Sequence, residues 1–385
     1  MTDTRIHVAR TFRSAKTLAA LLGVGLIGIA HAQTPAPSPR AADTELEVLH
    51  VKGNIYTIFG AGGNVTVSVG KDGVFVVDTG MPQNADKVLA TIQRLQREVQ
   101  LKEPPPGIGW GAETRGTLQM SLNSSHPPKP IRYIVNTHAH PDHVGGNAKL
   151  AKAGKTFTGG NVAGDITDAG EGAMIMAHEN VINRMTTPPP NQPPAAEGSL
   201  PTDTYFGEAM KLSHFFNGEG VQMFHPKSAH TDGDTFVFFR GSDVIVAGDL
   251  FVMTTYPFID IERGGHINGL INAANHMLDL TVPEFRLEGG TMVVPGHGRL
   301  SDSGDLAYYR DMLTIVRDRV QEMVKKGMTL EQVKAARPTK DYDPRWGATS
   351  GFWTTEQFVE AIYKNLSPKP TVKPAPKPTT KGGAR

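Results

Sequence analysis

NTHAHPDHVGG, residues 136–146, places three histidines and an aspartate within six positions, namely His138, His140, Asp142 and His143. The apolar run IRYIVN before it predicts a strand, and the two glycines after it allow a tight turn into a helix. Alternate residues of an extended segment project to the same side, so His138 and His140 are expected to face one way together. Asp142 and His143 follow a proline, where the chain must bend. The two pairs can face two metal ions lying close together, and such nitrogen and oxygen ligands suit Zn²⁺, with Fe or Mn as alternatives.

A two-metal site needs more ligands than one loop supplies, and three later positions meet that demand. His230 lies in SAHTDGD between two predicted strands, Asp249 directly follows the apolar run VIVAG, and His297 lies in VVPGHG after another apolar run. Each is expected at a strand end with glycine nearby, where a rigid scaffold can hold a side chain in place. The chain has no cysteine, which excludes thiolate ligands and a thiolate nucleophile.

This ordered set of side chains resembles the metallo-β-lactamase superfamily. The run VVDTG (76–80), with Asp78 after a strand, resembles the first motif of that family, and the resemblance covers about residues 45–300. It implies an α+β fold, an αββα sandwich with the site at one edge of the two sheets and extra C-terminal helices. It also implies one Zn²⁺ on His138, His140 and His230, a second on Asp142, His143 and His297, Asp249 as the bridge, and Asp78 in support.

Two zinc ions can lower the pKa of a shared water to about 7, so no serine or cysteine nucleophile is required. Asp142 is the candidate catalytic residue, which would orient the resulting hydroxide and relay a proton to the leaving atom. The expected reaction is hydrolysis of an ester, thioester, lactone or amide bond in a small molecule. β-Lactamases of the family usually have Cys or Ser at the position of Asp249, but activity on β-lactams stays open.

Three other functions compete with this interpretation. An iron-dependent sulfur-compound oxidoreductase would use a similar ligand set on the same fold. A nuclease-type hydrolase is disfavoured by the predicted export signal and by the lack of a basic core, and no nucleic-acid partner is expected. A periplasmic metal-binding or partner-binding protein without catalysis is the third, with the C-terminal helices and basic tail as the binding region.

The ends of the chain have different compositions from its middle. Basic residues, an apolar run and the small residues Ala30 and Ala32 make 1–32 a predicted signal peptide, so a periplasmic or secreted location is expected. The apolar run is too short for a membrane span, and none is expected after cleavage. Further along come a linker (33–43), the metallo-β-lactamase-like domain (44–300), a helical extension (301–366) and a disordered Pro/Lys-rich tail (367–385). The sequence leaves the oligomeric state open.

Between these ends, short β-branched runs alternate with segments of helical periodicity. The helical extension has an apolar face that is expected either to pack on the sandwich or to form a dimer face or pocket wall. Residues 102–130 and 186–204 are predicted to be long loops, which either form walls of the pocket or are disordered. Tyr256, Phe258 and His266 are candidate substrate contacts after the Asp249 strand. The run MIMAHENVINRM predicts a helix in which His178 is structural.

Overall fold

The computed structural model describes residues 45–100, 129–156, 171–188, 193–282 and 289–368. The chain divides into two units, Met1–Thr44 and Glu45–Arg385, and only the second contains described residues. The predicted signal peptide and linker, and nearly all of the predicted loop 102–130 and basic tail, therefore lie outside the described residues. Within these ranges, no helix combines the length and apolar character that a membrane crossing needs.

The first sheet is formed by the N-terminal half of the described chain. Its strands follow one another in sequence order: β1 (Glu47–Lys52), β2 (Ile55–Phe59), β3 (Val65–Gly70), β4 (Gly73–Val77), β5 (Ile131–Val135), β6 (Met174–His178) and β7 (Asp203–Tyr205). Strands β1 to β4 form an antiparallel meander, whose β-branched runs are separated by glycine-containing turns. From β4 to β7 the pairing is parallel, so these strands present their carboxyl ends at the same edge.

The second sheet has the order β13-β12-β11-β10-β9-β8. Its strands are β8 (Ala209–Lys211), β9 (Val221–Phe224), β10 (Phe236–Phe239), β11 (Val244–Val252), β12 (Met292–His297) and β13 (Ser301–Asp302). β11 and β12 are parallel, and the other pairs are antiparallel. The parallel pair therefore brings the carboxyl ends of two strands together.

Helices cover the outer faces of both sheets. In chain order they are α1 (Ala85–Gln100), α2 (Pro141–Val144), α3 (Asn147–Ala153), α4 (Glu179–Thr186), α5 (Ile267–Leu280), α6 (Ser303–Lys325), α7 (Leu330–Ala335), α8 (Asp343–Trp346) and α9 (Thr355–Leu366). The apolar face of α1 packs on the first sheet. Helices α5 and α6 pack on the second sheet, and α9 packs on α6 and α7 within the same core. Apolar residues such as Phe75, Val135 and Phe239 fill the space between the sheets, and the predicted αββα sandwich is confirmed.

Some predicted elements differ from the structure. The run MIMAHENVINRM is not one helix, because its first five residues form β6 and only the rest forms α4. A short apolar run looks the same in a buried parallel strand as in a buried helix, and pairing on both sides with β5 and β7 makes it a strand here. Helix α6 of the helical extension packs on the sandwich, which was one of the predicted alternatives, because Leu306, Val316 and Val320 are buried in the core.

Candidate metal centre

The centre lies where the carboxyl ends of the parallel strands of both sheets meet. The loop and helix α2 that follow β5 carry the first four candidate ligands, and β11 and β12 carry Asp249 and His297. β11 and β12 pair with Gly248 opposite Pro295. This register brings the side chains of Asp249 and His297 close together. The structure therefore gathers all seven predicted ligands into two neighbouring groups, His138, His140, His230 and Asp249 in one, Asp142, His143 and His297 in the other.

The first group contains three buried imidazoles with their rings nearly perpendicular to one another. The ring centroids of His138, His140 and His230 lie 4.6–4.8 Å apart. His230 Nε2 lies 2.9 Å from His140 Nδ1. Nitrogens converging from three directions form an arrangement that one cation can share.

The second group is more accessible. His297 Nε2 lies 3.1 Å from Asp142 Oδ2 and 3.4 Å from His143 Nε2. The side chains of Asp142 and His297 are each 28% exposed, whereas that of His143 is fully buried. This group therefore lies on the side from which a substrate can approach.

Asp249 connects the two groups through its two carboxylate oxygens. Its Oδ2 lies 3.7 Å from His230 Nε2 and 4.0 Å from His138 Nε2. Its Oδ1 lies 3.3 Å from His143 Nε2 and 3.5 Å from His297 Nε2. One oxygen faces each group, as a bridging ligand requires.

Hydrogen bonds to their outer nitrogens orient two rings from the first sheet. His143 Nδ1 donates to Asp78 Oδ2 at 2.7 Å. Thr137 Oγ1 donates its single proton to the same oxygen at 2.8 Å, so His138 Nδ1 must donate to Thr137 Oγ1, 2.9 Å away. Each ring therefore turns its Nε2 toward the centre, as metal-binding histidines do.

The two other rings of the first group are oriented by the loop that follows β11. His230 Nδ1 donates to the Phe258 carbonyl oxygen at 2.6 Å. His140 Nε2 donates to Asp260 Oδ2 at 3.0 Å, and Arg263 Nη1 donates to the same carboxylate oxygen at 2.8 Å. His230 Nε2 and His140 Nδ1 consequently face each other without a proton between them, and a shared cation would remove their repulsion.

Burial keeps two imidazoles of the first group, those of His138 and His230, neutral. It lowers the pKa of His138 well below the ordinary value, and the neighbouring His143 and His230 lower it further. Burial, followed by the effect of His140, lowers the pKa of His230 to about 4. Neutral imidazole is the form that binds metal ions, so these two rings are in their ligating form near pH 7.

Asp249 of the first group and His143 of the second favour their charged forms. Burial raises the pKa of Asp249, but His143 and His297 outweigh it and hold that pKa well below the ordinary value. Burial also lowers the pKa of His143, yet the Asp249 and Asp78 carboxylates together raise it well above the ordinary value. The carboxylates therefore demand positive charge here, which a divalent cation supplies in place of a proton.

The residues present fit a metal pair on two further observations. His138 Nε2 and Asp249 Oδ1 are buried without a hydrogen-bond partner among the described residues, and such atoms are costly unless something binds them. Gly63 and Gly296 pack so closely that a Cβ at either position would overlap the His143 ring or Asp249 Oδ1, respectively. The backbone thus leaves just enough space for these two side chains.

The sequence of the chain matches a known protein family. A family model described as the metallo-beta-lactamase superfamily matches residues 59–297, which is more than half of the chain. The chain belongs to the metallo-beta-lactamase superfamily. The match begins in β2 and ends on the ligand His297, so all seven candidate ligands and Asp78 lie inside it.

Two relatives of the chain are distant in sequence. The chain is 27% identical over 155 residues to the 2,4-dinitroanisole O-demethylase subunit alpha of Nocardioides sp. (strain JS1661), covering 39% of this chain and 38% of the relative. It is 22% identical over 186 residues to the metallo-beta-lactamase type 2 of Bacillus sp. (strain 170), covering 48% and 58%. Both matches span less than two thirds of the relative.

Among solved structures, the fold is similar to that of the stereoselective inverting sec-alkylsulfatase Pisa1 from Pseudomonas sp. The TM-score is 0.53 at 16% identity, and the match covers 84% of this chain and 52% of the other. At this identity the likeness concerns the superfamily fold alone.

The other candidate residues lie in different environments. The ring of Phe258 lies 5.7 Å from that of His140, beside the first group. Tyr256 is buried and stacks on Phe358, so its prediction as a substrate contact was wrong. His266 caps α5 by accepting from a backbone N–H. His178 caps α4 and stacks on a second histidine ring, which fits its predicted structural role.

Two residues that orient the candidate metal ligands, Thr137 and Asp260, were not predicted from the sequence. Thr137 lies inside the opening stretch, next to His138, but a threonine there carries no distinctive pattern. Asp260 stands in the loop FIDIERGG after the Asp249 strand, and an acidic residue in a glycine-containing loop next to a ligand strand was the available signal.

Proposed function

We propose that this protein is a metal-dependent hydrolase of a small organic molecule, with two Zn²⁺ per chain. The observation that carries the proposal is the position of Asp249, whose two oxygens face separate groups of histidine nitrogens. The bond to be cleaved is an ester, thioester, lactone or amide bond, because such carbonyl carbons accept attack by water.

When bound, the two ions would supply a Lewis acid and a water of lowered pKa. The chain's own residues divide the remaining tasks by exposure. Asp142 is partly exposed and its Oδ2 lies 3.1 Å from His297 Nε2 of the second group, so it can orient the attacking water and pass a proton to the leaving group. Asp249, only 12% exposed, stays ionised and holds the two ligand groups together.

The test measures hydrolysis by protein lacking residues 1–32, purified, stripped with a chelator and then reloaded with Zn²⁺. An acyl ester, a thioester, a lactone and a β-lactam are offered side by side. We expect turnover of at least one acyl substrate that disappears on demetallation and returns with zinc. His140→Ala should lose bound metal and turnover together. Turnover that survives full demetallation would overturn the proposal.

A second candidate is hydrolysis of an aryl methyl ether to a phenol and methanol. It is favoured by the Nocardioides relative, whose name is that of a 2,4-dinitroanisole O-demethylase subunit. Adding a nitroanisole to the same substrate panel separates the two. Release of phenol without turnover of any acyl substrate would favour the ether.

The iron-dependent oxidoreductase is distinguished by the metal that the protein acquires. We propose zinc, since the ligands are nitrogen and oxygen atoms with no cysteine. Elemental measurement on protein purified without added metal should find zinc in excess over iron. Iron as the dominant metal, with oxygen consumption on a thiol or persulfide, would overturn the hydrolase.

We also propose that the protein is exported, which rests on the sequence of residues 1–32. Cell fractionation of the full chain should place it outside the cytoplasm with its N-terminus cleaved before Gln33. A protein retained in the cytoplasm at full length would contradict this proposal.

A further inference from the structure

An aromatic cluster lies next to the candidate metal centre, and its side chains take no part in holding the ligands. Its members are Phe258, Phe352 and Trp353, the last two in the segment between α8 and α9. Phe352 is 80% exposed. Ligand sites in proteins are lined largely by apolar and aromatic side chains.

The cluster is held in place on one side and free on the other. The ring of Phe258 lies 5.2 Å from Phe352 and 4.7 Å from Trp353, with interplanar angles of 73° and 72°. Trp353 Nε1 donates to the Pro257 carbonyl oxygen at 3.0 Å. Trp353 is thereby fixed to the loop after β11, while most of the Phe352 ring faces solvent.

Phe258 connects the cluster to the ligands. Its ring centroid lies 5.7 Å from that of His140 and 5.8 Å from that of His230. Its carbonyl oxygen accepts from His230 Nδ1. A substrate group lying against this cluster is therefore adjacent to the first ligand group.

We propose that Phe258, Phe352 and Trp353 form an aromatic wall that binds an aromatic group of the substrate. The proposal rests on the proposed metal centre and names the substrate class for it. Aromatic rings attract one another in offset and edge-to-face arrangements beyond the effect of area alone. The wall therefore selects substrates whose cleaved bond carries an aryl group over those carrying a small alkyl group.

Two of the three wall residues come from the helical extension. Phe352 and Trp353 follow residue 297, where the superfamily match ends. The extension thus packs on the second sheet through α6, and between α8 and α9 it adds a surface to the site. Substrate selection by this wall is a property of this chain's own C-terminal segment.

Two hydroxamates test the wall without requiring turnover. A hydroxamate group binds zinc, and benzohydroxamate carries the aryl group that acetohydroxamate lacks. Binding of both is measured by calorimetry on zinc-loaded wild-type protein and on Phe352→Ala. The variant is expected to fold, because the replaced ring is mostly exposed, and its thermal unfolding is recorded as a check.

A matched control is available in Phe215→Ala. Phe215 is 73% exposed, and its neighbour Asn217 contacts Asp72 before β4, whereas Asp78 follows β4 at the other end. The control therefore removes a similar exposed ring far from the ligands.

We expect wild-type protein and Phe215→Ala to prefer benzohydroxamate by at least tenfold, and Phe352→Ala to lose about tenfold of this preference, equal to about 1.4 kcal/mol. An unchanged ratio in Phe352→Ala would overturn the aromatic wall and leave the metal centre standing. Failure of wild-type protein to bind either hydroxamate would overturn the accessible metal centre itself, and the wall with it.

Discussion

Replacing Asp78 by asparagine is predicted to weaken both metal groups although Asp78 belongs to neither. The Asp78 carboxylate accepts from Thr137 N, Thr137 Oγ1 and His143 Nδ1. Its backbone has φ 61°, a left-handed conformation that asparagine adopts more readily than most residues. Asp78→Asn therefore changes the hydrogen bonds with little effect on the backbone.

The amide can keep only part of this pattern. If its oxygen accepts from Thr137 N, its NH₂ group faces the hydroxyl of Thr137 and the ring of His143. These two can accept only by moving their own protons: His143 would then carry its proton on Nε2, and Thr137 Oγ1 would donate to His138 Nδ1. Both rings would present N–H groups to the centre instead of lone pairs.

The size of the effect follows from the role of such outer partners. Their loss typically costs 10–100-fold in metal affinity, and we expect a loss in that range for each group. In the metal-free protein, the weakened hydrogen bonds to a charged acceptor should lower the free energy of unfolding by about 1.5–3 kcal/mol.

Zinc affinity is measured by competition with a chromophoric chelator, and ring protonation by ¹⁵N NMR of the histidines. Asp243→Asn is the matched control, because Asp243 is also buried with a positive φ of 57° but precedes β11, whereas Asp249 stands near its other end. The control should lose stability and keep zinc affinity. Zinc affinity within twofold of wild type in Asp78→Asn, with His143 still protonated on Nδ1, would refute the reasoning.

Three further predictions concern the backbone, the core and pH. Gly296→Ala should weaken zinc binding by about 10–100-fold in the chelator assay, because the new Cβ displaces the Asp249 carboxylate; unchanged affinity would show that Asp249 does not bridge. Phe358→Ala should lower the free energy of unfolding by about 3–5 kcal/mol in denaturant titration, because it empties a buried ring site stacked on Tyr256; a loss below about 1 kcal/mol would contradict integral packing of α9. Burial and a neighbouring imidazole lower the pKa of His178 from 6.5 to about 4, so as pH falls through this window the unfolded state binds the proton first and stability is lost. Metal-free His178→Asn should lose less stability than wild type between pH 6.5 and 4, and an identical pH profile would disprove this contribution.

The ligands could be predicted from the sequence because their signal is local. Asp249 and His297 stand at the ends of apolar runs with glycine nearby, and the four ligands in residues 138–143 follow another such run. Asp249 and His297 needed only the added expectation that two apolar runs lie side by side. The structure meets this expectation through the parallel pairing of β11 and β12.

The aromatic wall and β6 could not be predicted in this way. Phe258 and Phe352 are 94 positions apart, and only the packing of the helical extension brings their rings within 5.2 Å. β6 is apolar up to its last residue, His178, because both its faces are covered, and this burial removes the alternation that distinguishes a strand. Both failures concern information held in tertiary packing rather than in local pattern.

The division of the ligands between the two sheets has a consequence for the lifetime of the protein. The first sheet leads to His138, His140, Asp142 and His143, while the second supplies Asp249 and His297, so the ions would join the two halves of the chain. A ligand bound only by the folded state stabilises it by about 2.7 kcal/mol at one hundred times its dissociation constant. In a compartment poor in zinc, the metal-free chain would expose its sites to proteases more often, and the amount of protein would follow the zinc supply.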